Sequence, residues 1–289
     1  VIIGTGSTGE STAKILVLDN GSSSSDPTGV TGAMYYNASL GEFRCYGVDG
    51  ISGWSNCNDP PSMRYRVQLD DDFTSMFCSS TTACTYGSLG WVGCDTATNQ
   101  TITNVGSGSR PGVLQMTTST SPTGQGCITM TGSTPSSGDP NDTITLTPGM
   151  TIELDAQLPT LSAGAQTYIA SMGLTDITTD GDSNFALIAY NPSSSSNWQC
   201  QTDNGSTTTN TSSTAVDTNW HDYKIVVNST TSVSFYEDGS LLCTNTTHVP
   251  TAALVPVMTI IKSGGTGNTT PRTMNIDYWS MRYDLSSPR

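Results

Sequence analysis

Glu153-Leu-Asp155-Ala-Gln157 sets acidic side chains at a spacing that chemistry can use. Residues two apart in a strand project from one face, so Glu153, Asp155 and Gln157 share a surface. Two carboxyl groups on one surface can cut a glycosidic bond. One attacks or activates water, and the other donates a proton across a gap of about 5–5.5 Å in the retaining case. Gln157 fills the third position, and an amide cannot donate a proton and recover it. Of the chain's other Glu residues, Glu42 lies far upstream and Glu237 precedes a turn. The strand therefore predicts a solvated face and no catalytic residue. His221-Asp222 predicts no His–Asp leg of a triad, because adjacent strand residues face opposite ways. It reads as a surface His beside Trp220.

The stretch between Met172 and Phe185 crowds oxygen ligands: Asp176, Asp180, Asp182 and Asn184. Asp180-Gly-Asp-Ser-Asn184 spaces them at i, i+2 and i+4, as calcium loops do, but lacks the closing bidentate carboxylate. Turn chemistry accounts for the same residues. No cofactor is required, and Ca²⁺ is the metal these four would take. A second cluster, Tyr190, Asn191, Trp198, Asp203 and Asn204, surrounds a long Ser/Asn-rich loop. A ring in a polar loop can stack on a sugar while amides and carboxylates bond its hydroxyls, so these five are the expected ligand site. Trp220 and Trp279 fall in strands, where Trp usually packs in the core.

Eight cysteines, with no C-x-x-C pair, disfavour a zinc site and favour disulfides in an oxidising compartment. Spacing alone leaves 105 pairings open. Cys45–Cys57 brackets a hairpin and is the first expected pair; Cys78–Cys84, Cys94–Cys127 and Cys200–Cys243 are weaker ones. The net charge of −14 repels phosphates and disfavours nucleic acid. No run approaches the ~20 apolar residues of a membrane-spanning helix. The expected location is extracellular, on a cell or virion surface.

The elements that must position these residues are strands. Asp222–Asn228 and Ser232–Glu237 alternate, and Asp238-Gly239 turns the chain into Ser240–Thr244, a strong hairpin signal. Val255–Lys262, a glycine loop and Thr273–Arg282 follow, read as consecutive strands of one antiparallel sheet. Upstream, strand patterns recur every 8–15 residues, including Gly112–Thr117, Gly126–Met130, Met150–Leu158, Gln166–Met172, Asn184–Tyr190 and Trp198–Thr202. Helical periodicity is nearly absent. The fold class is all-β, an antiparallel two-sheet sandwich. Val1–Thr8 and Ile15–Ser23 look like two copies of one strand-and-turn unit. The expected organisation is stem strands over 1–27, a small β-meander over 28–58 and the sandwich over 59–289.

Two resemblances add to this reading. Gly32-Ala-Met-Tyr-Tyr-Asn37, Gly41-Glu-Phe-Arg-Cys-Tyr46 and Trp54 resemble a short module near the ends of phage tail fibres and bacterial surface fibre proteins. It implies a joint between a stem and a terminal domain. The order Pro111-Gly-Val-Leu, Glu153, Gln166-x-Tyr168, Gly173-Leu-Thr-Asp176, Phe185 to Tyr190, Trp220, Phe235-Tyr-x-Asp-Gly239 and Arg272 to Tyr278 is similar to concanavalin A-like (laminin-G-like) jelly-roll domains of such fibres. That resemblance implies a habit of binding glycans or cell surfaces. Retaining glycoside hydrolases of the same fold carry E-x-D-x-E or E-x-D-x-x-E on one strand, and Gln157 breaks the first pattern as Leu158 breaks the second.

The resulting expectation is a non-enzymatic, extracellular recognition module. It would bind a glycan or cell-surface ligand at the end of a viral or bacterial fibre and assemble with copies of itself, as a homotrimer or a filament. A structural subunit of a capsid, sheath or filament, docking through Val1-Ile-Ile3, is the second expectation. A glycoside hydrolase is the third.

Overall fold

The computed structural model describes residues 20–21, 26–30, 33–46, 53–57, 66–78, 84–94, 100–130, 144–176 and 184–285. The chain divides into two compact units, residues 1–66 with 286–289, and residues 67–285. The expected repeats over 1–8 and 15–23 lie almost wholly outside the described residues.

In the first unit, β1 (Asn20–Gly21), β2 (Met34–Asn37), β3 (Glu42–Tyr46) and β4 (Trp54–Asn56) form a sheet in chain order. The motif residues hold it together. Arg44 makes a forked pair with Asp26 (Nε–Oδ1 3.1 Å, Nη2–Oδ2 2.8 Å) and reaches the Trp54 carbonyl. Asn37 is fully buried, and its Oδ1 accepts from the backbone N–H of Ser39 and Leu40, closing the turn. Trp54 packs edge-on against Tyr35 and Tyr46.

The second unit is a concanavalin A-like β-sandwich. Its strands are β5 (Arg66–Asp71), β6 (Met76–Cys78), β7 (Cys84–Tyr86), β8 (Trp91–Gly93), β9 (Gln100–Asn104), β10 (Leu114–Thr118), β11 (Gln125–Thr129), β12 (Thr151–Gln157), β13 (Tyr168–Thr175), β14 (Asn184–Tyr190), β15 (Asn197–Asn204), β16 (Thr207–Ala215), β17 (Trp220–Ser229), β18 (Ser232–Glu237), β19 (Ser240–Asn245), β20 (Val255–Lys262) and β21 (Thr273–Asp284). A front sheet runs β19-β18-β17-β12-β21-β10-β9, with β5 also pairing β21. A back sheet runs β16-β15-β14-β13-β20-β11-β8-β7-β6. Alternation places Ile152, Leu154, Ile225, Phe235, Met274 and Ile276 of the front sheet against Ala170, Met172, Leu174, Ile188, Met258 and Ile260 of the back sheet.

One expectation about elements is corrected. The hairpins β17–β18–β19 form as expected, but β20 crosses to the back sheet and β21 returns between β12 and β10. Hydrophobic runs show that strands exist without showing which sheet each joins. The Thr-rich 207–215 stretch, not among the expected strands, is a strand at the edge of the back sheet although it carries few apolar residues.

Four disulfides join Cys45 to Cys57, Cys78 to Cys84, Cys94 to Cys127 and Cys200 to Cys243. Disulfides at this density fit a secreted or extracellular protein. No described helix is long and apolar enough to cross a membrane.

Candidate active site

β12 lies at the middle of the front sheet, between β17 and β21. Its even residues, Ile152, Leu154 and Ala156, are buried in the core, so Glu153, Asp155 and Gln157 stand on the outer face. Register fills in the rest of that face. Lys224 and Ser280 flank Glu153, Asp222 and Tyr278 flank Asp155, and Trp220 and Asn275 flank Gln157.

Each β12 carboxylate is held by a cation. Lys224 Nζ lies 2.6 Å from Glu153 Oε1. Arg110 Nη1 lies 3.2 Å from Asp155 Oδ2 and also pairs with Asp277. The Arg110 guanidinium sits 4.2 Å from the centroid of the Trp220 ring, on its face. Asp277 reaches this group through a β-bulge: the register between β12 and β21 slips after Asp155, leaving Asp277 unopposed. The extra residue turns Asp277 and Tyr278 to the same outer face, the re-aiming that bulges perform beside functional sites. Tyr278 donates its hydroxyl to Asp70 Oδ1 at 3.0 Å.

Gln157 is tied into a ladder of amides. Gln115 Nε2 donates to Asn275 Oδ1, Asn275 Nδ2 donates to Gln157 Oε1, and Gln157 Nε2 donates to the Thr218 carbonyl, all at 2.9–3.0 Å. Asp222, opposite Asp155, makes no hydrogen bond or ion pair through its carboxyl among the described residues. Desolvation between the neighbouring strands, then the charges of Glu153 and Asp155, push that carboxyl above the usual Asp range.

The residues expected to bind a ligand lie elsewhere. Trp198 is about 1% exposed; it packs against Tyr223 and donates its indole N–H to Glu237. Tyr190 is buried, and its hydroxyl accepts from the Ser162 N–H. Asn191 closes a turn by accepting from the Ser193 N–H, and Asp203 is buried with Gly205 and Thr207 bound to it. Asn204 is exposed at the end of β15. Sequence places Trp198 beside a polar loop, but it is the second residue of β15 and faces inward, so no sugar can stack on it. Trp220 is the converse: expected in the core, it stands on the outer face beneath Arg110.

Of the expected metal ligands, Asp176 and Asn184 bind each other, with Asn184 Nδ2 2.8 Å from Asp176 Oδ2 and the Asn184 N–H 3.1 Å from Oδ1. Asp176 is buried, and the pair joins the two ends of the connection between β13 and β14. Asp180 and Asp182 lie outside the described residues. No group of three or more acidic, His or Cys residues forms a metal-binding cluster among the described residues.

His221 is bound more tightly than a surface residue. Its Nε2 lies 2.9 Å from Asp217 Oδ1 and its Nδ1 2.7 Å from Asp238 Oδ2. The backbone bends of the hairpin supply Asp238, which sequence adjacency alone did not reveal.

Residues 109–277 match the family described as SO2946-like, C-terminal domain. No curated protein matches the chain. Among solved structures, an uncharacterized protein from Mycobacterium paratuberculosis is 14% identical, with 74% of this chain and 99% of that chain covered and a TM-score of 0.49. A protein of unknown function, SO2946 from Shewanella oneidensis MR-1, is 15% identical, with 78% and 89% covered and a TM-score of 0.49. The Bacillus licheniformis β-glucanase is 17% identical, with 74% and 97% covered and a TM-score of 0.47. The expectation of a non-enzymatic fibre-end module, and with it that of a filament subunit, is corrected by these comparisons: proteins described as β-glucanases recur among the structures that this sandwich is similar to. With more than half of its length matched, the chain belongs to the SO2946-like family, whose C-terminal domain it carries over residues 109–277.

Proposed function

We propose that the sandwich is a secreted glycoside hydrolase that cuts a polysaccharide lying across the outer face of the front sheet. The observation that carries this reading is the placement of Glu153 and Asp155 side by side at the middle of that face. Each is held by a cation; Tyr278 lies beside Asp155, and Trp220 lies one outward-facing pair further along, beside Gln157. The Tyr278 ring beside Asp155 offers a surface for the CH face of a sugar, while Arg110 covers one face of the Trp220 ring. The Gln115–Asn275–Gln157 ladder offers amides for their hydroxyls. Lys224 holds Glu153 in place as the group that attacks the anomeric carbon, and Asp155, braced by Arg110, steadies the neighbouring charge.

The face also limits the substrate. Glu153, Asp155, Asp222, Asp277 and Asp70 outnumber Arg110, Lys224 and Arg282, so uronate or sulfate groups would be repelled. A neutral polysaccharide is the expected substrate class.

The test is release of reducing ends from a panel of neutral polysaccharides by the full chain and by Glu153→Gln. Glu153→Gln should lower kcat by roughly 10³-fold or more, as removal of a nucleophile does elsewhere. A wild-type protein that releases nothing from the whole panel, or a variant as active as wild type, overturns the reading.

A further inference from the structure

Gln157 occupies the place on β12 where a proton donor would be expected, and it is committed on both sides of its amide: Oε1 accepts from Asn275 and Nε2 donates to the Thr218 carbonyl. An amide so held cannot protonate a leaving oxygen. The reaction proposed above still requires a second carboxyl group within reach of the first.

The register of the sheet supplies one. Asp222 on β17 lies directly opposite Asp155 and diagonal to Glu153, on the same outer face. Directly opposed residues of an antiparallel pair have Cβ atoms about 4.5–5.5 Å apart, and diagonal ones sit about 7–8 Å apart or somewhat less. Side chains of this length can close the diagonal to the ~5.5 Å of a retaining pair. Among the described residues the face carries three other carboxylates near β12, and each has a partner: Glu153 has Lys224, while Asp155 and Asp277 share Arg110. Among the described residues, Asp222 alone has no ion pair or hydrogen-bond donor directly on its carboxyl; the charge of Lys224 acts on it from further off and is outweighed by desolvation and the charges of Glu153 and Asp155. A pair in which one carboxyl is fixed by a cation and the other is left among like charges is the arrangement that separates a nucleophile from an acid.

We propose that Asp222 is the proton donor of the candidate site, supplied from the neighbouring strand in place of Gln157. This rests on the glycoside hydrolase reading. In the first step a Glu153 carboxylate oxygen bonds to the anomeric carbon as the glycosidic C–O bond breaks. The departing oxygen takes the Asp222 proton. In the second step Asp222 takes a proton from water, whose oxygen displaces Glu153 and restores both groups. The upward shift of the Asp222 carboxyl is in the direction that a proton donor requires.

The experiment compares wild type with Asp222→Asn on two substrates of the same sugar: the neutral polysaccharide found active, and an aryl glycoside whose leaving phenol needs no protonation. Asp222→Asn should lose about 10²–10⁴-fold in kcat on the polysaccharide. It should lose less than about tenfold in forming the glycosyl intermediate from the aryl glycoside, seen as a burst of phenol. Sodium azide should restore turnover and yield a glycosyl azide with the substrate's anomeric configuration. A merely structural role would depress both substrates alike and ignore azide, and that result overturns the proposal. Polysaccharide activity retained in the variant overturns it too, leaving the hydrolase reading intact. A wild type inactive on both substrates overturns both. Circular dichroism and a melting curve of the variant separate loss of fold from loss of the proton; Asp222→Glu, which keeps a carboxyl, should recover part of the polysaccharide activity.

Discussion

Among single residues, His221 makes the sharpest demand on protonation. A neutral imidazole has one N–H, yet both of its ring nitrogens face a carboxylate oxygen, and Glu237 Oε1 adds a third at 3.9 Å from Nδ1. Only the imidazolium can donate to both sides at once. Burial lowers its pKa, but the hydrogen bonds it donates to Asp217 and Asp238 and the charge of Glu237 outweigh it, and the net shift is upward. A raised folded-state pKa means stability that is fully present below the ordinary His value of about 6.5 and lost as pH rises through the folded value. The difference in melting temperature between wild type and His221→Gln should therefore shrink from pH 6 upward; a difference constant from pH 5 to pH 9 would refute this. Sequence made His221 look like a surface residue because both partners come from turns, Asp217 four residues back and Asp238 across the hairpin. Asp222 was hidden in the same way: its meaning depends on standing opposite Asp155, and register is absent from a one-dimensional pattern.

At the scale of elements, what local signals reveal is strand existence. The Asp238-Gly239 turn has φ near +49° and +75°, the positive pair that a tight hairpin with right-handed twist requires, and it was readable from two letters. Val255–Lys262 and Asn184–Tyr190 form at their expected bounds because apolar runs and turn residues coincide there. The edge strand β16 was not readable, since an edge strand facing solvent needs hydrogen-bond partners more than apolar side chains. The bulge at Asp277 was equally silent, although it delivers a carboxylate to Arg110. One position shows how closely the back sheet is fitted. Gly173 on β13 has φ near +146°, and a Cβ there would lie 2.2 Å from the Ala186 carbonyl oxygen. Gly173→Ala should cost about 3 kcal/mol, combining strain with overpacking against a neighbouring strand. Urea unfolding measures it, and an unchanged midpoint at equal m-value would show that the strand yields without cost.

For the whole molecule, the question is what keeps two sheets of modest apolar content together. Only 34% of the residues are hydrophobic, and the chain carries a net charge of −14, so self-repulsion opposes compaction. Three of the four disulfides link near neighbours. Cys45–Cys57 lies in the first unit, Cys78–Cys84 ties the β6–β7 hairpin, and Cys94–Cys127 joins the end of β8 to β11 within the back sheet. Cys200–Cys243 differs, because it runs from β15 of the back sheet to β19 of the front sheet. Around it, Asn245 is fully buried and donates to the Cys200 carbonyl, while Asn210 donates to Asn245 Oδ1, so the bond sits within a polar seam closing that edge of the sandwich. Its sequence separation of 43 corresponds to about 4 kcal/mol of loop-closure entropy removed from the unfolded chain. In a unit of this size, each kcal/mol moves the melting point by about 2–4 °C. The double variant Cys200→Ala, Cys243→Ala should thus melt roughly 10 °C lower, and Cys78→Ala, Cys84→Ala, which opens a much shorter loop, should lose less. Calorimetry of both variants decides the matter. Equal losses would mean that hairpin and inter-sheet links matter alike, and that the seam of Asn210 and Asn245 closes the edge without its disulfide.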